Sequence, residues 1–150
     1  MIVTCDRRIQ WCSGHRVHQH ESKCRNLHGH NYVALIHAHA EGLDSIGRVI
    51  DFGVLKTVVG AWIDENWDHG FILWEEDPLA KLWEMGHALA SHKFFLLREN
   101  PTAENMAKYL LEKSSELLVE AGHPEVVVVR IDLWETENCR AVAEYGEVQL

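Results

Sequence analysis

The stretch His28-Gly29-His30-Asn31-Tyr32-Val33-Ala34-Leu35-Ile36-His37-Ala38-His39-Ala40 decides the fold. From Asn31 to Ala40 the side chains alternate, with Tyr32, Ala34, Ile36 and Ala38 on one side and Val33, Leu35, His37 and His39 on the other. That period of two is the signature of a strand. Residues at i and i+2 of a strand leave the same face. His28 and His30, at the start of this strand, therefore share the parity of Tyr32 and Ala34 and aim both imidazoles at one spot. Gly29 between them offers no side chain to the other face and lets something pack closely there.

Imidazole is the commonest metal-binding side chain at neutral pH, and two on one face make half a tetrahedral site. Cys24 lies just upstream, and His15 precedes His28 by thirteen residues. Three histidines with one position open are the composition of a catalytic zinc site. His15, His18 and His20 compete for the third place, and His15 is only modestly favoured because it sits at the end of a predicted strand. The His-x-His spacing is weak by itself: His37 and His39 repeat it, and they read as sheet-surface residues.

Three other positions have a bland reading and a chemical one. Cys24 is either a buried, inert thiol or one drawn toward thiolate by Lys23, Arg25 and a nearby metal. Asp68-His69 either ends a helix or forms a carboxylate–imidazole pair able to pass protons. Glu135, at a strand end in Trp-Glu-Thr-Glu-Asn, is either a solvated turn carboxylate or one that holds a guanidinium-like edge with two hydrogen bonds.

The 150 residues read as one domain over 1–150, long enough to bury a core without staples. Apolar residues make up 47% and charged residues 25%, as in an ordinary soluble globular chain. With 14 basic against 23 acidic residues the formal charge is −9, and no Lys/Arg run is present, which argues against a nucleic-acid partner. An anionic substrate must be met by a local cluster or a metal. No run of eighteen apolar residues suggests a membrane span, and the first residues lack the apolar centre of a signal peptide. Cys5, Cys12, Cys24 and Cys139 have no Cys-x-x-Cys spacing and read as reduced thiols in a cytoplasm.

Along the chain, residues 1–14 read as a first strand, forming a hairpin with the second through a long, functional connection. Phe52, Leu55, Val59, Trp62, Ile63 and Asn66 fall at helical spacing behind Asp51 as N-cap. Phe71 to Trp74 is a short apolar run, Pro78 to Ala90 a shorter peripheral helix, and Lys93 to Arg98 a possible small strand. Thr102 caps a long helix to about Glu120, with Glu104 in its first turn and Gly122 closing it. Val126–Leu133 and Ala141–Val148 read as strands joined through residues 135–138. The layout is α+β, a four-stranded antiparallel sheet with helices on one face.

In order, His15-Arg16, Cys24-x-x-x-His28-Gly29-His30-Asn31-Tyr32, Val49-Ile50-Asp51-Phe52, Asp68-His69, Asn100-Pro101-Thr102-Ala103-Glu104-Asn105 and Glu135-Thr136 resemble the 6-pyruvoyl-tetrahydropterin synthase / 6-carboxy-tetrahydropterin synthase family. The resemblance implies a tunnelling fold that assembles through sheet edges into an oligomeric barrel, a homo-hexamer of two stacked trimers with active sites between subunits. It implies zinc on His15, His28 and His30, Cys24 as catalytic cysteine, Asp68 and His69 as a catalytic proton-relay pair, and Glu135 as the carboxylate that binds the pterin ring. The Cys24–His28 spacing is that of the carboxy-forming branch, a carbon–carbon lyase acting on 7,8-dihydroneopterin triphosphate that supplies 7-deazaguanine (queuosine) precursors. Three alternatives stand beside it: the pyruvoyl-forming branch, a branch using glutamate in place of the cysteine (Glu21 is nearby), and a non-catalytic zinc-buffering protein. The Trp74–Arg98 stretch is longer than in compact members, and it is expected to bear on subunit contacts.

Overall fold

In the computed structural model, which describes residues 1–86 and 88–146, β1 (Thr4–His15) and β2 (His28–Ala40) form an antiparallel hairpin. Its register sets Trp11 opposite Tyr32 and His15 opposite His28. The alternation of β2 is its burial pattern: Tyr32, Ala34, Ile36 and Ala38 are fully buried, beside Ile9 and Trp11 of β1. β2 starts at His28, three residues before Asn31, because His28-Gly29-His30 continues the ladder against Ser13-Gly14-His15. Both histidines are thus fixed by sheet pairing. Phe71 closes over the outer face of Gly14, which is paired with Gly29; a Cβ on Gly14 would lie 2.3 Å from the Phe71 ring.

The sheet is not four-stranded and antiparallel. It has six strands in the order β4-β3-β1-β2-β5-β6 and is mixed. β5 (Val126–Thr136) and β6 (Cys139–Glu144) extend the antiparallel side. β6 begins two residues before Ala141, and Glu147 and Val148 of the expected strand lie outside the described residues. On the other side β3 (Phe71–Trp74) runs parallel to β1, and β4 (Phe94–Leu97) runs parallel to β3. Four-residue apolar runs are too short to display a period, so the sequence marks them weakly. Parallel neighbours need a crossover connection. Between β3 and β4 this holds α3 (Pro78–Glu84), capped by Asp77, and a 3₁₀ turn (Ala88–Ser91), in place of the single helix expected over 78–90.

α1 (Phe52–Leu55), a π-helical turn (Lys56–Gly60) and α2 (Ala61–Asn66) follow one another without leaving helical backbone. The Asp51 side chain starts them by accepting the Gly53 N–H at 2.7 Å. α4 (Ala103–Glu120) is capped by Thr102, which accepts the Asn105 N–H at 3.2 Å. Leu55, Val59 and Ile63, with Met106, Ala107, Leu110 and Leu118 of α4, join the inner residues of the strands in one core. Burial of such side chains contributes roughly 1.5–3 kcal/mol each, so the amphipathic faces hold these helices on the side of the sheet that carries Tyr32.

His37 and His39 are not free surface residues. His37 Nε2 lies 2.6 Å from Asp132 Oδ2, and Asp132 also receives two hydrogen bonds from Arg130, each at 2.9 Å. His39 is buried and donates through Nδ1 to the Val3 carbonyl at 2.9 Å. Neither ring joins a group of three ligating side chains among the described residues.

Arg16, directly after β1, gives its Nε–H to Asp77 at 2.7 Å and pairs with the same carboxylate through Nη2. Asp77 is fully buried and also accepts the Leu79 N–H at 2.8 Å. Burial raises its carboxyl pKa, but the Arg16 bonds and the Leu79 N–H outweigh that and hold it below the usual range. Asp77→Ala is expected to lower unfolding free energy by about 2–3 kcal/mol, since it strips a charge-assisted pair and a helix cap together. Asp77→Asn, which keeps an acceptor for the cap, should lose less. Urea denaturation checks both, and an alanine loss below about 0.5 kcal/mol would contradict the assigned role.

Candidate metal centre and active site

Three imidazoles meet at the connected end of the β1–β2 hairpin, where residues 16–27 join the two strands. His28 and His30 stand two apart on β2, and His15 stands across from His28 on β1. Their ligand atoms all lie within 4.8 Å of one another. His15 Nε2 and His28 Nε2 are 3.2 Å apart. In each of these rings the other nitrogen is already used: His15 Nδ1–H donates to the Pro101 carbonyl and His28 Nδ1–H to the Asn26 carbonyl, both at 2.7 Å. A carbonyl only accepts, so the proton of each neutral ring is on Nδ1 and the lone pair is on Nε2. His30 Nε2 is buried without a hydrogen-bond partner. Two lone pairs and a third unpartnered ring nitrogen thus face one volume.

That donor set fits a metal ion. Metal–nitrogen bonds of about 2.0–2.1 Å in a tetrahedron put neighbouring ligand atoms about 3.3 Å apart, and the His15–His28 separation already matches. Backbone carbonyls on the far ring nitrogens are the usual outer support of metal-bound histidine. Burial pushes the His15 pKa down to about 4, assisted by His28 and His30 and opposed by the Pro101 carbonyl. Burial also lowers His30, against the pull of Glu135. Lowered values keep these rings neutral at physiological pH, the form that ligates. Tyr32 backs the cluster, its ring 5.5 Å from His30 and 6.0 Å from His15, and it stacks on Trp11 at 5.4 Å.

His18 and His20 fall outside the cluster. The Asn100 side chain clamps the His18 backbone, accepting its N–H at 2.9 Å and donating to its carbonyl at 3.0 Å. His20 lines a cleft of about 220 Å³ together with His15, Cys24, Glu135, Cys139 and Thr102. Cys24 sits on a short 3₁₀ turn (Lys23–Arg25) that is tied to the chain just after β1 through the Val17 N–H and the Cys24 carbonyl at 2.9 Å. Glu135 places Oε1 3.4 Å from His30 Nε2 and Oε2 3.9 Å from His15 Nε2, so it borders the cluster from β5 as more than a turn carboxylate. Glu21 is exposed.

Asp68 and His69 do not join Cys24 within the chain. His69 lines a separate cleft of about 420 Å³ with Cys12, Gly14, His30, Asn31 and Phe71. Its Nδ1 is 2.8 Å from Asp68 Oδ2, and its side chain is 80% exposed, so Nε2 is left to act. Asp68 Oδ1 accepts the Cys12 N–H at 3.0 Å. Burial raises the Asp68 pKa, but Cys12, the His69 ring and the Lys93 ammonium outweigh it and hold the carboxylate ionised. His69 has φ 54°, the left-handed region that a non-glycine residue enters at a cost of order 1 kcal/mol. No pattern in the sequence signals this strain, Pro101 as the His15 support, or Cys139 beside Cys24. Among the described residues no helix is long and apolar enough to cross a membrane.

Residues 4–146 match the 6-pyruvoyl tetrahydropterin synthase family. The 6-carboxy-5,6,7,8-tetrahydropterin synthase of Rickettsia bellii is 40% identical over 141 residues, covering 92% of this chain and 97% of that protein. The Aquifex aeolicus protein of the same name is 37% identical over 128 residues, covering 84% and 77%. A crystal structure of an uncharacterized protein from Wolinella succinogenes superposes with a TM-score of 0.80 at 26% identity, covering 97% and 99%. The 6-pyruvoyl tetrahydropterin synthase of Caenorhabditis elegans shares the fold, with a TM-score of 0.66 at 23% identity and 97% of each chain covered. The chain belongs to the 6-pyruvoyl tetrahydropterin synthase family.

Proposed function

We propose that this protein is a zinc-dependent lyase. It would convert 7,8-dihydroneopterin triphosphate and one water to 6-carboxy-5,6,7,8-tetrahydropterin, with release of acetaldehyde and triphosphate, as a step toward 7-deazaguanine (queuosine) precursors. The observation that carries the reading is the cleft in which Cys24 and Glu135 stand beside the three converging imidazoles. Relatives named for the carboxy-forming reaction, rather than the pyruvoyl-forming one, support the choice of branch.

In this reading His15, His28 and His30 hold the zinc, which supplies Lewis acidity toward the side-chain hydroxyls of the substrate. The Glu135 carboxylate accepts two hydrogen bonds from the 2-amino and ring N–H edge of the pterin. The Cys24 thiolate takes a proton from the substrate side chain, and His69 Nε2, its ring oriented by Asp68, gives or accepts a proton at the neighbouring oxygen. Cys24 and His69 line different clefts of one chain. The relay pair of one copy is therefore assigned to the Cys24 cleft of another, in a homo-hexamer of two stacked trimers joined through sheet edges. Arg16 is committed to Asp77, which leaves the exposed Lys23 and Arg25 beside Cys24 to meet the triphosphate.

Zinc-loaded protein given 7,8-dihydroneopterin triphosphate should yield carboxy-tetrahydropterin and acetaldehyde by mass spectrometry. Pyruvoyl-tetrahydropterin without acetaldehyde would move the protein to the sister branch, and more than one zinc per chain with no turnover would favour metal buffering. Cys24→Ala should reduce kcat on the order of 10²–10⁴-fold with zinc retained; near-normal turnover would remove Cys24 from the chemistry. His28→Ala and His30→Ala should each lose zinc as measured by elemental analysis, and full retention in both would exclude them as ligands.

A further inference from the structure

The segment between β3 and β4 holds no residue of the proposed chemistry, yet its last residue reaches directly into the turn that presents His69. The Lys93 Nζ donates to the Asp68 carbonyl at 2.6 Å and to the Asp64 carbonyl at 2.7 Å. The Lys93 carbonyl accepts the Phe71 N–H at 3.0 Å. Its aliphatic stem lies over Gly70, where an added Cβ would come within 3.0 Å of Lys93 Cγ and 3.2 Å of the Lys93 carbonyl oxygen. One residue therefore grips the turn, with its side chain at the helix end and over the glycine and with its backbone carbonyl at the strand end.

The chemistry of the grip is specific to a cation with several donors. Trp67 and Asp68 both direct their N–H groups to the Ile63 carbonyl, so the Asp64 carbonyl of α2 loses its helical partner, and the Asp68 carbonyl lies beyond the helix end. An ammonium satisfies two carbonyls at once, and a positive charge is favoured at a helix C-terminus. The turn it stabilises is the strained one: His69 holds φ 54°, its N–H donating to the Cys12 carbonyl at 2.7 Å. With a different turn, the imidazole would leave its place beside Asp68 and the cleft it lines.

We infer that Lys93 is a positioning residue for His69, holding the Asp68-His69-Gly70 turn in the geometry that presents the imidazole. This rests on the proton-relay role assigned to His69 in the proposed reaction. It gives the segment between β3 and β4 a task inside the subunit as well as a place in the sheet.

The test compares Lys93→Met, which keeps the packing over Gly70 and removes the donors, with Lys93→Arg, which restores a cationic donor. Misplacing a reacting group by about 1 Å costs on the order of 10²-fold, so Lys93→Met should lower kcat roughly 10- to 100-fold. KM should stay within about twofold and zinc content should not change, because Lys93 touches neither the cluster nor the Cys24 cleft. Lys93→Arg should recover most of kcat. Amide hydrogen exchange provides a readout that does not need the reaction. Protection of the His69 and Gly70 N–H groups should fall about tenfold or more in Lys93→Met and return in Lys93→Arg. Unchanged protection of those two amides in Lys93→Met overturns the inference. So does a kcat within about twofold of the parent, in a parent that makes product. A parent that makes no product sinks the proposed reaction instead, and the exchange comparison still decides whether Lys93 holds the turn.

Discussion

Two neutral imidazole nitrogens 3.2 Å apart, each presenting a lone pair to the other, repel unless a proton or a metal ion lies between them. The His15–His28 pair is built in that state, since the Pro101 and Asn26 carbonyls fix the ring protons on the far nitrogens. His30 adds a third ring nitrogen, buried and without a hydrogen-bond partner. Leaving such groups unpaired inside a protein costs on the order of 1–3 kcal/mol each. An ion bound there by three nitrogens relieves all of them together. The rest of the structure is a device for holding this costly arrangement in place.

The device runs outward through the backbone. His15 depends on the carbonyl of Pro101, and the next residue, Thr102, caps α4. Asn100, one residue earlier, clamps the backbone of His18, and its own carbonyl accepts the Asn105 side-chain N–H at 2.9 Å. The motif Asn100–Asn105 is therefore one joint. It ties the start of the longest helix to the end of β1 and to the loop that carries Cys24. Since α4 packs into the main core through Met106, Leu110 and Leu118, the stability of the core is transmitted to the ligand rings without any of those apolar residues approaching them.

What the sequence showed and what it hid divide along the same line. The parity of His28 and His30 with Tyr32, Ala34 and Ile36 is a local property, visible in thirteen residues, and it sets both rings on the face that carries Tyr32. The caps Asp51 and Thr102 were visible for the same reason. The six-stranded order was not, because Phe71–Trp74 and Phe94–Leu97 are too short to carry a period and their pairings, β3 with β1 and β4 with β3, are long-range. The burial of His39 and the capture of His37 by Asp132 were hidden as well, since the partners come from the N-terminal residues and from β5. Lys93 and Asp77 escaped notice because a lone lysine or aspartate carries no pattern; only the fold brings each to its carbonyl or guanidinium.

Charge follows the same logic of locality. A chain with a net charge of −9 is a poor long-range attractor for a polyanion, but at physiological ionic strength fields are screened beyond about 8 Å. What matters is which cations near the cluster are uncommitted. Arg16 is bound to Asp77, Arg130 and Arg140 share Asp132, and Lys93 is turned onto two carbonyls. Lys23 and Arg25 flank Cys24 on an exposed turn. In the proposed reaction these two exposed cations are the ones assigned to the substrate's phosphate chain. The proposed reaction needs its cations beside the cysteine, and there the fold leaves them exposed.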